Sequence, residues 1–185
     1  MAVAVDFSKI DGASHLPTLR RFLATTRGPV LELGMGPHST QMLHDLCAIT
    51  QRDLFSYEND KKYVVEYAKL RTPWHRIAHV ATYADVPYAC HFWDVVLVDQ
   101  APAHERIQSV YALKYTARFV VCHDSEDALY GYDAIRSLFT YRATFGTTLP
   151  LTTVFSNYED VAAPYTEYTP LTLQTSTVGQ IITEL

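Results

Sequence analysis

The sequence has few cysteines, no Cys-x-x-Cys pair and no excess of basic residues. Its three cysteines are scattered and odd in number, which argues against a disulfide framework and favours a reducing compartment. The net charge of −5 leaves no broad basic field to neutralise phosphates. We therefore expect no binding to bulk nucleic acid, although a nucleotide ligand stays compatible with this composition.

Long apolar segments are missing as well. The N-terminus lacks the basic start and apolar stretch of a signal peptide. The longest apolar runs, such as residues 95–98, are strand-sized, whereas a membrane span needs about 20 residues. These absences predict a soluble, cytoplasmic protein with no membrane partner.

The 185 residues suit one domain, and an apolar fraction of 48% is enough for a real core. We expect a single domain over residues 1–185 with its core in residues 14–157. Beyond residue 162 the pattern fades, and residues 162–185 are interpreted as a loop or strand extension. This extension is either a homodimer contact or a loose tail.

Short β-rich runs alternate with helical patterns along the core. This order predicts an α/β fold, a doubly wound and mostly parallel sheet with helices on both faces. The predicted strands are residues 30–33, 54–58, 77–82, 93–99, 118–123, 141–147 and 152–157. The predicted helices are residues 15–25, 39–49, 61–70, 104–115 and 125–139.

Ligands of such sheets bind outside the carboxyl ends of the strands, so the turn from Glu32 to Gly36 is the first candidate site. Gly34 and Gly36 permit a sharp turn, and the following helix offers free N–H groups together with the hydroxyls of Ser39 and Thr40. A tight turn without any ligand is the alternative. A dinucleotide fingerprint would have a third glycine at position 39, where this sequence has serine.

Residues 30–36 (VLELGMG) resemble motif I of the class I S-adenosylmethionine-dependent methyltransferases. The resemblance covers residues 14–157 and implies a seven-stranded sheet whose last strand is antiparallel. It also implies that Glu58, at the end of the second strand, accepts hydrogen bonds from the ribose hydroxyls, and that Thr82 or Tyr83 lies near the adenine, with Asp85 slightly beyond. The implied cofactor-binding residues are Glu32, Gly34, Met35, Gly36, Ser39, Thr40, Glu58, Asn59, Thr82, Tyr83 and Asp99.

The fourth and fifth strands end near Asp99 and Asp124. This pair is similar to that of the catechol O-methyltransferase type, and the similarity implies that both aspartates hold Mg²⁺ and gather substrate hydroxyls. Two positions depart from that type: Ser125 replaces an asparagine ligand, and no lysine follows the fourth strand. A metal-free alternative uses His123, His104 or Asp99 as the general base. Capping of the next helix by residues 124–127 is a third interpretation.

Other positions leave two interpretations open. His15 lies in the N-terminal segment that often covers the cofactor in this family, so a lid role and a surface position are both possible. The tyrosines of the late half either pack at a sheet edge or form a substrate wall. They include Tyr130, Tyr132, Tyr158, Tyr165 and Tyr168.

The leading hypothesis is O-methylation of a small molecule or a sugar or glycan hydroxyl, with Asp99, His123 and Asp124 as the catalytic residues. A non-catalytic Rossmann-like binding module is the first alternative. A nicotinamide-dependent oxidoreductase is the second.

Overall fold

A seven-stranded sheet organises the chain in the computed structural model, which describes residues 12–147 and 149–162. The spatial order of its strands is β3-β2-β1-β4-β5-β7-β6. β7 runs antiparallel to both neighbours, and the other pairs are parallel. The predicted fold class is thereby confirmed. The strands are β1 (Val30–Leu33), β2 (Leu54–Glu58), β3 (His75–His79), β4 (Trp93–Val98), β5 (Ala117–Cys122), β6 (Tyr141–Phe145) and β7 (Thr152–Ser156).

Helices cover both faces of the sheet. They are α1 (Leu16–Ala24), α2 (Ser39–Thr50), α3 (Lys61–Tyr67) and α4 (Ala103–Leu113). In β4, Val95 and Leu97 pack in one buried cluster with α1 and α2, whereas Val96 and Val98 pack with α4 on the other face. All four side chains are fully buried, and each such burial stabilises the fold by about 1.5–3 kcal/mol.

Two predicted elements were wrong. The third strand begins at His75, because His75 pairs with Leu54, and it ends at His79, opposite the last residue of β2. The helix predicted over residues 125–139 is replaced by two 3₁₀ segments, Ala128–Tyr130 and Tyr132–Leu138. Gly131 separates them at φ +68°, a left-handed conformation that a continuous helix does not contain.

None of the helices in the described residues is long and apolar enough to cross a membrane. Most of the extension predicted over residues 162–185 lies outside the described residues.

Candidate cofactor and acceptor site

The turn after β1 brings the chain against the end of β4. Gly34 has φ +89°, and a Cβ there would lie 2.6 Å from the backbone of Asp99. Both conformation and space therefore require glycine. A Cβ on Gly36, in contrast, would meet no atom within 4 Å. Gly34 serves the packing of the sheet, whereas Gly36 borders space that a ligand can occupy.

Glu32 is fully buried beneath this turn, and three hydroxyls donate to its carboxylate. Ser39 and Thr40 donate to Oε1 at 2.7 and 2.9 Å, and Ser56 donates to Oε2 at 2.6 Å. Burial raises the pKa of Glu32 to about 7, although the hydroxyl hydrogen bonds oppose the rise. Ser39 and Thr40 were expected to offer their hydroxyls to a ligand. They donate inward to Glu32 instead.

A hydrogen-bonded chain continues from Glu32 toward α2. Ser56 Oγ lies 3.0 Å from His75 Nε2, and His75 Nδ1 lies 3.0 Å from His44 Nδ1. Because Ser56 donates its hydrogen to Glu32, it accepts from His75 Nε2, so His75 Nδ1 accepts from His44. Burial and the neighbouring His44 lower the pKa of His75 to about 4, which keeps His75 neutral. When Glu32 is ionised, the donors in this chain therefore point toward it.

Glu58 lies at the carboxyl end of β2, as predicted, and is 6% exposed. Its carboxylate accepts hydrogen bonds at 2.8 Å from the backbone N–H groups of Met35, Asn59 and Asp60. A carboxylate has about four acceptor sites, so one stays available. The Asn59 side chain donates to the Ala101 carbonyl at 2.8 Å and thereby joins the loops after β2 and β4.

The loop after β3 meets an acid that the sequence did not indicate. Glu105 Oε2, from the first turn of α4, accepts from the Tyr83 backbone N–H at 2.6 Å and from the Thr82 hydroxyl at 3.0 Å. The Tyr83 side chain is buried in the core, whereas Asp85 is exposed. The acid beside Thr82 and Tyr83 is therefore Glu105 rather than Asp85.

The ends of β4 and β5 bring Asp99 and Asp124 together, as predicted. Arg106 of α4 lies between them, with Nη2 3.0 Å from Asp99 Oδ1 and Nη1 3.0 Å from Asp124 Oδ2. The guanidinium also donates to the backbone carbonyls of Gln100 and His123. Arg106 thus supplies the positive charge that was expected from Mg²⁺, and the geometry does not support the hypothesis of Mg²⁺ between these aspartates.

His123 is 4% exposed and engaged on both ring nitrogens. Nδ1 lies 3.2 Å from Asp99 Oδ1, and Nε2 lies 3.1 Å from Ser14 Oγ. Because Ser14 donates its hydrogen to the Pro150 carbonyl at 2.6 Å, it accepts from Nε2. Burial alone would lower the pKa of His123, but its hydrogen bond to Asp99 and the two carboxylate charges outweigh burial and raise it. This arrangement favours the protonated ring and disfavours His123 as a general base.

The remaining candidates are placed differently. The surface position considered for His15 was wrong, because the side chain is 1% exposed and its ring centroid lies 4.4 Å from that of His123. His104 is exposed at the start of α4. Ser125 Oγ accepts from Thr153. Of residues 124–127, Asp127 caps the segment that follows, since its side chain accepts from the Leu129 N–H at 2.9 Å.

The tyrosines of the late half divide into two groups. Tyr132 is buried and packs in the core, whereas the Tyr130 ring centroid lies 4.0 Å from the Arg106 guanidinium, which pairs with Asp99 and Asp124. Tyr158 is half-exposed and donates to the Tyr115 carbonyl. Tyr165 and Tyr168 lie outside the described residues. Among these tyrosines that the structure describes, Tyr130 is placed beside the guanidinium that joins the two aspartates.

Sequence reasoning missed three contributors to the site: Ser14, Glu105 and Arg106. The sequence indicates the two α4 residues only weakly, because an acid and a base are adjacent in the first turn of the helix that follows β4. Ser14 carries none, because its contact with His123 joins residues 109 positions apart.

No family model and no curated protein matches this sequence. Solved structures do match. A putative O-methyltransferase from Klebsiella pneumoniae superposes with a TM-score of 0.59 at 12% identity, covering 85% of this chain and 83% of that one. The METTL16 MTase domain gives 0.55 at 12% identity, with coverages of 86% and 74%. The DhpI-SAH complex gives 0.52 at 12% identity, with coverages of 77% and 80%. The chain therefore has the Rossmann-like fold of the class I methyltransferases.

Proposed function

We propose that this protein is an S-adenosylmethionine-dependent methyltransferase acting on a hydroxyl of a small molecule or sugar. The observation that carries the proposal is the position of Glu58. Its carboxylate lies at the end of β2 with one acceptor site available, beside the open space at Gly36, in a fold shared with the plantazolicin methyltransferase BpumL in complex with SAH. One hydroxyl of a ribose is a matching donor for that remaining site.

The donor set along the sheet edge fits the rest of the nucleoside. Glu105 holds Thr82 and Tyr83 through Oε2, which leaves Oε1 to accept from the adenine amino group. Asn59 joins the two loops that would border the ribose. When bound, S-adenosylmethionine supplies a methyl group on a positively charged sulfur.

The acceptor edge is formed by Asp99 and Asp124, whose side chains are 24% and 23% exposed. Burial alone would raise the pKa of Asp99, but the hydrogen bond and charge of His123, together with Arg106 and His15, lower it. A weakly basic carboxylate of this kind orients an acceptor hydroxyl by accepting its hydrogen bond. The net charge of −5 and the two carboxylates at this edge favour a compact, hydroxyl-bearing acceptor over a phosphate-rich nucleic acid.

Isothermal titration with S-adenosylhomocysteine tests the cofactor. We expect micromolar binding by the wild type, and at least about tenfold weaker binding by Glu58→Gln, since a hydrogen bond to a charged group contributes about 1.5–3 kcal/mol. Glu66→Gln, which changes an exposed acid on α3, is the matched control and should bind as the wild type does. A folded wild-type protein that does not bind the ligand would refute the proposal.

A binding module without catalysis is the second candidate. It is favoured by the internal pairing of Glu58, Asn59 and Glu105, which completes many of their hydrogen bonds without a ligand. Transfer of a labelled methyl group to a panel of sugars and catechols separates the two functions. Binding without transfer, with no phenotype for Asp99→Asn, would establish the module instead.

We also propose a cytoplasmic location and a homodimer. Light scattering on the purified protein tests the dimer, and a mass of 20.9 kDa would identify a monomer.

A further inference from the structure

Three potential metal ligands converge near the acceptor edge from separate parts of the chain. His15 precedes α1, Asp99 follows β4 and His123 follows β5. One ligand atom from each residue lies within 4.8 Å of those of the other two. Both histidines are buried, at 1% and 4% exposure, and their rings are in contact. Among the described residues, this is the group of three such side chains that can surround one ion.

The donor set and its spacing suit a transition metal. Two imidazoles and one carboxylate favour Zn²⁺, Fe²⁺, Co²⁺ or Ni²⁺ over Mg²⁺, which prefers oxygen ligands. Ligands bound at about 2.0–2.2 Å lie about 3.0–3.5 Å from each other around the ion. The ligand atoms of the three residues lie within 4.8 Å of one another, so binding of an ion requires the side chains to draw closer together.

The surroundings also resemble those of a metal ligand set. A metal-bound histidine generally donates its other ring N–H to a neighbour, and a metal-bound carboxylate is itself hydrogen-bonded. His123 Nε2 has Ser14 Oγ at 3.1 Å, and Asp99 Oδ1 has Arg106 at 3.0 Å. Since Arg106 and His123 both meet Oδ1, Asp99 Oδ2 is the oxygen left for an ion. The charge of Arg106 is shared with Asp124, which reduces its repulsion of a cation.

We propose that His15, Asp99 and His123 bind one divalent transition-metal ion, which displaces to solvent the proton between His123 Nδ1 and Asp99. Three protein ligands leave coordination positions for water or an acceptor hydroxyl, as in catalytic rather than structural metal sites. Use of the ion to acidify that hydroxyl rests on the proposed methyltransferase function. Binding of the ion does not, because it involves the protein and the metal alone.

Titration of untagged, chelator-stripped protein with Co²⁺, followed by visible absorption and by competition with Zn²⁺, tests the site. We expect one tight site per chain. His15→Gln and Asp99→Asn should weaken binding by more than about 100-fold, because a group that only orients a ligand contributes about 10–100-fold. Ser14→Ala should therefore weaken it by about tenfold.

His104→Gln is the matched control, since His104 is an exposed histidine at the start of α4, and it should bind as the wild type does. Circular dichroism verifies that each variant is folded. Absence of a tight site in the wild type, or undiminished binding by folded His15→Gln, overturns the proposal. Titration of the same samples with S-adenosylhomocysteine is a separate readout, so failure of the metal site and failure of the cofactor proposal are distinguishable.

Discussion

Two pairs of acids lie at the carboxyl edge of the sheet, and the protein stabilises their carboxylates by different interactions. Glu32 and Glu58, beside β1 and β2, are surrounded by hydroxyl and backbone N–H donors. Asp99 and Asp124, beside β4 and β5, face the charges of Arg106 and His123. The first pair therefore interacts with neutral hydrogen-bond donors, and the second pair with positively charged side chains.

The difference has opposite effects on acidity. Dipoles do not fully offset burial, so the pKa of Glu32 rises to about 7, whereas the cationic neighbours of Asp99 lower its pKa despite burial. Asp99 therefore keeps its charge to lower pH than an ordinary aspartate does. The turn after β1, in contrast, lies above Glu32, a buried group whose pKa is near neutrality.

The largest expected effect is a loss of stability on removing the Arg106 guanidinium, the cation between Asp99 and Asp124. Arg106→Gln leaves Asp99 and Asp124 without their guanidinium and deletes several of its hydrogen bonds. We expect the free energy of unfolding to fall by about 3–5 kcal/mol, as is typical when a buried ion pair loses one partner. Urea denaturation at neutral pH measures the change.

Arg118→Gln is the control for this comparison. Arg118 also pairs with two acids, Asp94 and Glu159, but its side chain is 35% exposed. A solvated ion pair contributes about 0–1 kcal/mol, so the variant should unfold almost as the wild type does. Equal losses in the two variants would show that Arg106 is not a buried counter-ion.

The next effect concerns Glu32 and is a dependence on pH. Its pKa rises from the ordinary 4.5 to about 7 in the fold, so its contribution to stability is full below pH 4.5 and is lost as pH rises toward 7. Relative to Glu32→Gln, the wild type should lose about 3 kcal/mol across that window. Denaturant unfolding at several pH values measures the difference. A difference that does not vary with pH would contradict the raised pKa.

His75 provides a second test, because its contribution to stability depends on pH in the opposite direction. Its pKa falls from 6.5 to about 4, so its contribution is full above pH 6.5 and is lost as pH falls toward 4. In the wild type the two effects oppose each other between pH 4.5 and 6.5. His75→Gln should therefore lose stability with rising pH, and Glu32→Gln with falling pH. Parallel profiles in the two variants would contradict the assignment.

Local patterns predicted much of the fold but little of the electrostatics. β1 and β2 were placed with the observed bounds, since an apolar run closing on a charged residue or glycine is a local signal. The same order placed Asp99 and Asp124 together. The burial of His15 and the position of Arg106 between the aspartates depend on contacts between distant elements. Gly131 is a local signal against one continuous helix over residues 125–139, because glycine commonly adopts the left-handed conformation seen there.

The smallest expected effect tests how the cofactor half recognises its ligand. If Glu105 Oε1 accepts the adenine amino group, Glu105→Gln should weaken S-adenosylhomocysteine binding by about tenfold, because a neutral amide replaces a charged acceptor. In S-inosylhomocysteine a carbonyl replaces that amino group. The variant should bind this ligand at least as tightly as the wild-type protein does, since the glutamine amide can donate to the carbonyl. Titration of both proteins with both ligands gives a double-mutant cycle. An equal loss for the two ligands would show that Glu105 only holds Thr82 and Tyr83 in place, and the adenine contact would then have to come from another group.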